Sequence, residues 1–276
     1  MYMISTTKLR KTKRDLEQTR PYFQSLHKEM LRIFENIPDV KSRYIVSKSG
    51  TRRENIKCGC LVITSDKGLA GAYNHNVLKL ASEYLEAQQY LDRQEQTMLF
   101  VVGEYGRQFF FRKNIPVDRS FLYSAQNPSM ERARDISSTL LELYDSGELD
   151  EIHIIYTDMR SGVATDVIEH QLLPIDPEEF MGDDSVANAL EEGDFMPSAA
   201  SVLDAIVPSY VTGYIYSALV DSFCSEQNAR MLAMDSAGRN ADEMLSELSV
   251  QYNRVRQAAI TQEITEVAAG ARAKRL

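Results

Sequence analysis

Two glycines, Gly68 and Gly71, follow an apolar run in the stretch LVITSDKGLAGAYNHNVLKL at 61–80. A strand, a glycine-containing loop and a helix in this order can form a phosphate cradle, because backbone N–H groups at a helix N-terminus attract anions. A P-loop, however, requires G-x-x-x-x-G-K-[ST], and a dinucleotide fold requires G-x-G-x-x-G. Neither pattern is present, so we predict no bound nucleotide and interpret Asp66 and Lys67 as turn residues.

The other residue types that commonly do chemistry lack a spacing typical of a catalytic or metal site. No two histidines lie four residues apart, no cysteine stands at ligand spacing, and no G-x-S-x-G elbow occurs. The acidic residues Asp158, Asp166 and Glu169 are close in sequence, and we interpret them as solvated. We therefore predict no catalytic residue, no metal and no cofactor. The four histidines are His27, His75, His153 and His170.

The three cysteines, Cys58, Cys60 and Cys224, are interpreted as reduced thiols in a cytoplasmic compartment, with a disulfide or a metal as the alternative. No apolar run approaches the ~20 residues that span a bilayer. The first 14 residues also lack the order of basic, apolar and small residues that marks a signal peptide.

The net charge of −9 conceals a strong segregation of charge along the chain. Residues 1–57 carry 14 Lys and Arg against 6 Asp and Glu, whereas residues 176–195 carry 8 acidic residues and no basic one. One basic end on an acidic protein favours a specific acidic partner surface over general affinity for nucleic acid. The alternative is a solvated helix face, which is the better interpretation of any single Lys or Arg in this segment.

Both ends of the chain show the 3.5-residue repeat of a coiled coil. Mostly apolar positions alternate by three and four residues from Leu16 to Ile37, where Thr19 is a weak member, and again from Met231 to Ala259, where Gly238 is one member. Pro21 is expected to bend the first helix or cost it a hydrogen bond. Pro208 is expected to open a second helix that runs to Gly270.

Between these helices, β-branched runs alternate with helical stretches, a pattern typical of a mostly parallel sheet. We predict a Rossmann-like α/β domain inserted between N- and C-terminal helices that pair as an antiparallel coiled coil. In that coiled coil, the seam around Leu26 and Met30 is expected to face the second helix between Met234 and Leu248. The predicted strands are 60–65, 98–103, 152–157 and 163–175, and the predicted helices are 74–90, 104–113 and 130–146.

The domain boundaries follow from these patterns. They are an N-terminal coiled-coil helix at 1–57, an α/β foot domain at 58–175, an acidic loop or linker at 176–200 and a long C-terminal coiled-coil helix at 201–276.

The sequence resembles the gamma subunit of the F-type ATP synthase along almost the whole chain. The stretch ITQEITEVAAGARA at 260–273 is similar to the C-terminal signature of that family. Further similar stretches are SEQNARMLAM at 225–234, YNRVRQAA at 252–259, ITSDKGLAGAYN at 63–74 and MISTTKLRKTKRDLEQTRPYF at 3–23. Family members begin several helical turns before the segment matched by residues 1–14, so we expect the start of the first helix to be missing here.

The resemblance implies a rotor shaft that couples ion flow to ATP synthesis and hydrolysis, regulates the ATPase activity and makes no ATP itself. The implied partners are the alpha and beta subunits of the catalytic ring, the epsilon subunit and the c-subunit ring. The implied location is peripheral, on the cytoplasmic face of the cell membrane.

The resemblance also implies contact residues. Arg256 and Gln257 match residues that hydrogen-bond a catch loop on beta, and Phe195 is expected to contact the c-ring. Residues expected to meet the acidic lever loop of beta are Lys67, Ala70, Lys8, Arg10, Lys11, Lys13 and Arg14. Two alternatives remain, a free-standing gamma-like coiled-coil adaptor and a nucleotide-binding α/β enzyme.

Overall fold

The computed structural model describes residues 2–37, 40, 42–46, 56–90, 97–161, 164–181 and 195–273. The described chain divides into two compact units, Met1–Met231 and Leu232–Leu276. Its helices and strands, in chain order, are α1 (Tyr2–Asn36), β1 (Cys58–Ile63), α2 (Tyr73–Tyr90), β2 (Thr97–Val102), α3 (Glu104–Arg112), α4 (Met130–Asp145), β3 (Glu151–Ser161), β4 (Ala164–Leu173), α5 (Pro177–Met181) and α6 (Ala199–Ala273).

The first unit contains a four-stranded sheet in the order β2-β1-β3-β4. Strand β1 runs parallel to both β2 and β3, whereas β4 returns antiparallel along β3. Every residue of β1 is buried, as expected for a central strand that is covered on both faces. The prediction of a mostly parallel sheet is therefore confirmed.

Helices cover the two faces of this sheet. Side chains such as Leu61 and Ile63 point into a large core that also includes residues of α1, α4 and α6. The neighbouring side chains, such as Cys60 and Val62, point to the opposite face, where they pack with residues of α2 and α3. This alternation follows from the period of two in a strand.

Helix α6 begins earlier than the sequence predicted. It starts at Ala199, where the hydroxyl of Ser198 accepts a hydrogen bond from the N–H of Ser201 (3.2 Å). This bond caps the first turn of the helix. Pro208 therefore lies inside the helix, and its prediction as the first helical residue is wrong.

The stretch predicted as an acidic loop also contains the short helix α5, whose Phe180 is buried. Phe180 packs edge-on against the ring of Phe34 in α1, with the ring centroids 5.4 Å apart. Residues 182–194 of the predicted loop lie outside the described residues.

Helices α1 and α6 run antiparallel within the first unit. The ring of Phe23 lies against Gly213, and the ring of His27 lies 6.3 Å from that of Tyr210. The segment around Leu26 therefore faces α6 near Tyr210. The register predicted between Met234 and Leu248 is wrong, because a heptad pattern marks an apolar seam without fixing which partner residues face it.

Helix α1 continues through Pro21 and ends at Asn36, so Ile37, the last predicted seam residue, lies just outside it. The second unit is the continuation of α6, and its side chains from Asp235 to Gly270 are exposed. Among the described helices, none combines the length and the apolar composition needed to cross a membrane.

Two glycines inside α6 test the packing of α1 on this helix. A methyl group at Gly213 would overlap the ring of Phe23, whereas one at Gly238 would meet nothing within 4 Å. Gly213→Ala should therefore lower the free energy of unfolding relative to Gly238→Ala by about 1–3 kcal/mol. Gly238→Ala should itself be neutral or stabilising by up to about 1 kcal/mol.

Urea unfolding of both variants measures this difference, and adding Phe23→Leu to Gly213→Ala should recover part of the loss. Equal stability of the two alanine variants would contradict the described contact between α1 and α6.

Candidate functional site

The loop between β1 and α2, residues 64–72, contains Gly68 and Gly71. Its Asp66 carboxylate accepts hydrogen bonds from the backbone N–H groups of Glu104 (3.1 Å) and Ala125 (3.3 Å). It also accepts one from the hydroxyl of Ser124 (2.5 Å). Because Glu104 is the first residue of α3, the positive end of that helix is occupied by a carboxylate of the chain itself.

A buried pair of polar side chains closes the loop from the side of α2. The side-chain oxygen of Asn74 accepts a hydrogen bond from the N–H of Ser65 (3.0 Å), and its amide donates to the hydroxyl of Ser65 (2.7 Å). That hydroxyl lies 2.7 Å from the carbonyl oxygen of Lys67 and donates to it. These polar groups of the loop therefore bond to one another.

Helix α6 holds the loop from a third side. The guanidinium of Arg230 donates hydrogen bonds to the carbonyl oxygens of Lys67 (3.1 Å) and Gly68 (3.2 Å), and it forms an ion pair with Glu226. Glu226 is only 4% exposed. Burial raises the pKa of Glu226, and the charge of Arg230 opposes that rise.

The surface that this loop offers to other molecules is apolar and basic. Leu69 adopts a left-handed backbone conformation (φ 63°) and is 76% exposed. Lys67 is also exposed, whereas Ala70 is buried. Of the two loop residues expected at a partner contact, Lys67 is therefore accessible to a partner, whereas the side chain of Ala70 is buried and is not. Leu69 and Arg230 were not among the predicted contact residues.

The other predicted contact residues lie on separate segments. Arg10, Lys11 and Arg14 are exposed on α1, and the side chains of Lys8 and Lys13 lie outside the described residues. Phe195 precedes α6 and is half-buried, with the guanidinium of Arg32 5.0 Å from the centre of its ring.

In the second unit, Arg256 and Gln257 are exposed neighbours on α6. The backbone carbonyl of Gln257 accepts a hydrogen bond from the hydroxyl of Thr261 (2.8 Å), one turn further along the helix. Because the side chains of Arg256 and Gln257 are both exposed, a partner can reach them.

No group of three or more His, Cys, Asp or Glu side chains in the described part of the chain is arranged to hold a metal ion. Glu169 is exposed, as interpreted from the sequence, and its carboxylate also lies 2.7 Å from Nδ1 of His153.

Comparisons with known proteins identify the family. A family described as ATP synthase matches residues 1–273. An ATP synthase gamma chain from Caldanaerobacter subterraneus subsp. tengcongensis is 43% identical over 282 residues, covering 98% of this chain and 92% of the relative. The chain belongs to the ATP synthase gamma chain family.

Other comparisons agree with this membership. The gamma chain of Ruminiclostridium cellulolyticum is 40% identical, over 99% of this chain and 91% of its own length. The central stalk and c-ring structure of the Tetrahymena thermophila mitochondrial ATP synthase contains a chain with the same fold, at a TM-score of 0.59 and 23% identity. That match covers 86% of this chain and 97% of the other. The resemblance to the gamma subunit found in the sequence is thus confirmed.

The ion pair between Arg230 and Glu226 gives a test of how the gamma chain holds its loop. Arg230→Ala leaves a buried carboxylate without its cation, so the free energy of unfolding at pH 7 should fall by about 3–5 kcal/mol. Adding Glu226→Gln removes the uncompensated charge and should recover much of that loss. Urea unfolding of the two single variants and the double variant measures the coupling, and losses that simply add would show that the two side chains do not depend on each other.

Proposed function

We propose that this gamma chain acts as a non-catalytic rotor shaft, coupling ion flow through the membrane sector to ATP synthesis or hydrolysis in the alpha–beta catalytic ring. The proposal rests on the 43% identity to a gamma chain over 98% of this sequence. The proposed partners are the alpha and beta subunits, the epsilon subunit and the c-subunit ring, at the cytoplasmic face of the membrane.

We assign different partner contacts to the α/β domain and to the C-terminal helix. The α/β domain, residues 58–175, serves as the foot on the c-ring side, and Phe195 is the residue assigned to the c-ring contact. The C-terminal helix exposes a series of large apolar side chains, which need cover from a partner. These include Met244, Leu245, Leu248, Tyr252, Val255, Ile264 and Val267.

The loop at 64–72 is assigned to the acidic lever loop of beta. Lys67 supplies a positive charge there, and the exposed Leu69 supplies an apolar contact beside it. The basic residues of α1 assigned to the same partner are Lys8, Arg10, Lys11, Lys13 and Arg14. Opposite charges at such a surface guide docking and orientation more than they add affinity.

A non-catalytic role is supported by the chemistry of this loop. The carboxylate of Asp66 occupies the N-terminus of α3, and Arg230 binds two of the loop carbonyls. A phosphate group would have to displace the carboxylate and would meet its negative charge.

The purified chain should accordingly bind neither ATP nor NAD. Calorimetric titration with each nucleotide should give no saturable heat at micromolar concentrations. The assembled alpha–beta complex serves as the positive control for ATP. Saturable micromolar binding to the gamma chain alone would contradict the non-catalytic assignment.

The residues assigned to the catch loop of beta are Arg256 and Gln257. A guanidinium offers five donors in a rigid fork, which suits recognition of a carboxylate or several carbonyls on a moving loop. Loss of one such charged hydrogen-bonding contact costs about 1.5–3 kcal/mol. Because the catch is expected to engage in one rotary state, the loss should lower turnover of the assembled complex.

Arg256→Ala, assembled with alpha and beta subunits, should therefore lower ATP turnover and leave the melting temperature of the isolated chain unchanged. Arg254→Ala is the matched control, since Arg254 is also exposed and lies two residues away on the same helix. Equal turnover of the two variants would reject the catch assignment. A large loss in melting temperature for Arg256→Ala would assign that residue a structural role instead.

A further inference from the structure

A small cavity lies where α2, the sheet and α6 meet within the first unit. Its volume is about 140 Å³, and its lining includes side chains of α2, β3, β4 and α6. Two of the lining residues, Thr157 of β3 and Ser225 of α6, are only 3% and 1% exposed. Two others, Asn76 and Thr165, are exposed. The cavity therefore reaches from solvent to hydroxyl groups in the interior.

The hydroxyl groups of Thr157 and Ser225 are buried and form no hydrogen bond with another group in the described part of the chain. Burying a hydroxyl without a partner is unfavourable, and most buried polar groups in proteins therefore have one. The equally buried Ser137 shows the usual arrangement, since its hydroxyl lies 2.7 Å from that of Thr212. Two unpaired hydroxyls that line the same cavity indicate that a polar molecule binds there.

Two further hydroxyl groups lie close to this pair. The Ser222 hydroxyl, on α6, accepts a hydrogen bond from the backbone N–H of Thr157 (3.3 Å). Tyr73, at the start of α2, also lines the cavity and is 6% exposed. Burial and the charge of Glu226 raise the pKa of Tyr73, and the neighbouring groups of Ser222, Thr157 and Arg230 oppose that rise. The Tyr73 hydroxyl therefore keeps its proton at neutral pH and can donate it to a hydrogen bond.

The charge of the cavity argues against an ion as its ligand. No charged side chain is among the described residues that line it. The charged groups that influence Tyr73 from nearby, Glu226 and Arg230, form an ion pair with each other. A bound anion or cation would therefore lack a counter-charge in the lining, whereas a neutral molecule would not need one.

The size of the cavity indicates which neutral molecule fits. Sites for small organic ligands have volumes of about 300–1,000 Å³, and this cavity is well below that range. One water molecule, by contrast, needs only about 10–15 Å³ of such space and two to four polar partners. The hydroxyls of Thr157, Ser225 and Tyr73 supply partners from three different elements.

We propose that this cavity is a binding site for a cluster of ordered water molecules, which joins α6 to the sheet through the hydroxyls of Ser225, Thr157 and Tyr73. Each water can accept a hydrogen bond from one hydroxyl and donate one to another. The cluster thereby gives a partner to groups that do not bond to each other directly. The site is independent of the proposed rotor function, because it rests only on contacts within the first unit.

The sign of a stability change tests the site. Thr157→Val keeps a similar shape and removes the hydroxyl. If that hydroxyl were dry, its removal would eliminate an unsatisfied buried group, and the midpoint of urea unfolding of the full chain would rise. Because we expect water to bind it, Thr157→Val should lower the midpoint, and Ser225→Ala should lower it as well. The double variant should lose less stability than the sum of the two, since both hydroxyls share the same waters.

Magnetic relaxation dispersion of the water signal measures the waters themselves, because it reports how many remain bound for long times. This number should be lower in the Thr157→Val, Ser225→Ala double variant than in the unmodified chain. Ser137→Ala is the matched control and should leave it unchanged, since the Ser137 hydroxyl is as buried as that of Ser225 but bonds within the protein.

A crystal structure of the unmodified chain gives a readout that needs no variant to fold. It should show water within hydrogen-bond distance of both the Thr157 and the Ser225 hydroxyl. An empty cavity in that crystal structure would overturn the proposal. A higher urea midpoint for Thr157→Val, or an unchanged number of long-lived waters in the double variant, would overturn it as well.

Discussion

Burial of the first part of α6 is the constraint on which the rest of the first unit depends. Its apolar side chains recur every four residues at Leu203, Val207, Val211, Ile215 and Leu219, and all five are buried. They share one core with residues of the sheet, α1 and α4. Each fully buried side chain of this kind contributes about 1.5–3 kcal/mol. The sheet and the two terminal helices are therefore stabilised together.

The loop at 64–72 illustrates how this core supports the surface proposed to contact beta. Arg230 reaches the loop from α6, and Asp66 reaches from the loop to α3. Hydrogen bonds from Arg230 to the carbonyls of Lys67 and Gly68 fix the backbone of the loop, beside which Leu69 is exposed. A preorganised surface loses less conformational entropy when it binds, which suits the contact with beta that we propose for this loop.

Most helices and strands could be predicted because each shows a local pattern of apolar residues. The features that were missed depend mainly on contacts between residues far apart in the sequence. The start of β1 was predicted at Cys60 and lies at Cys58, since buried β-branched runs mark a strand but not its first residue. The register of α1 on α6 was missed because it depends on Phe23 fitting against Gly213. Arg230 lies 163 positions from Lys67, and no local pattern records such a contact.

The rotor assignment is tested most directly by observing rotation of the α/β domain. The native cysteines are buried, so a cysteine introduced at the exposed Glu86 of α2 can carry a bead while the alpha–beta ring is fixed to a surface. If the chain is the shaft, addition of ATP should turn the bead continuously in one direction, and Arg256→Ala should slow it. A bead that stays attached and only fluctuates, while the complex hydrolyses ATP no faster than alpha and beta subunits alone, would contradict the rotor function.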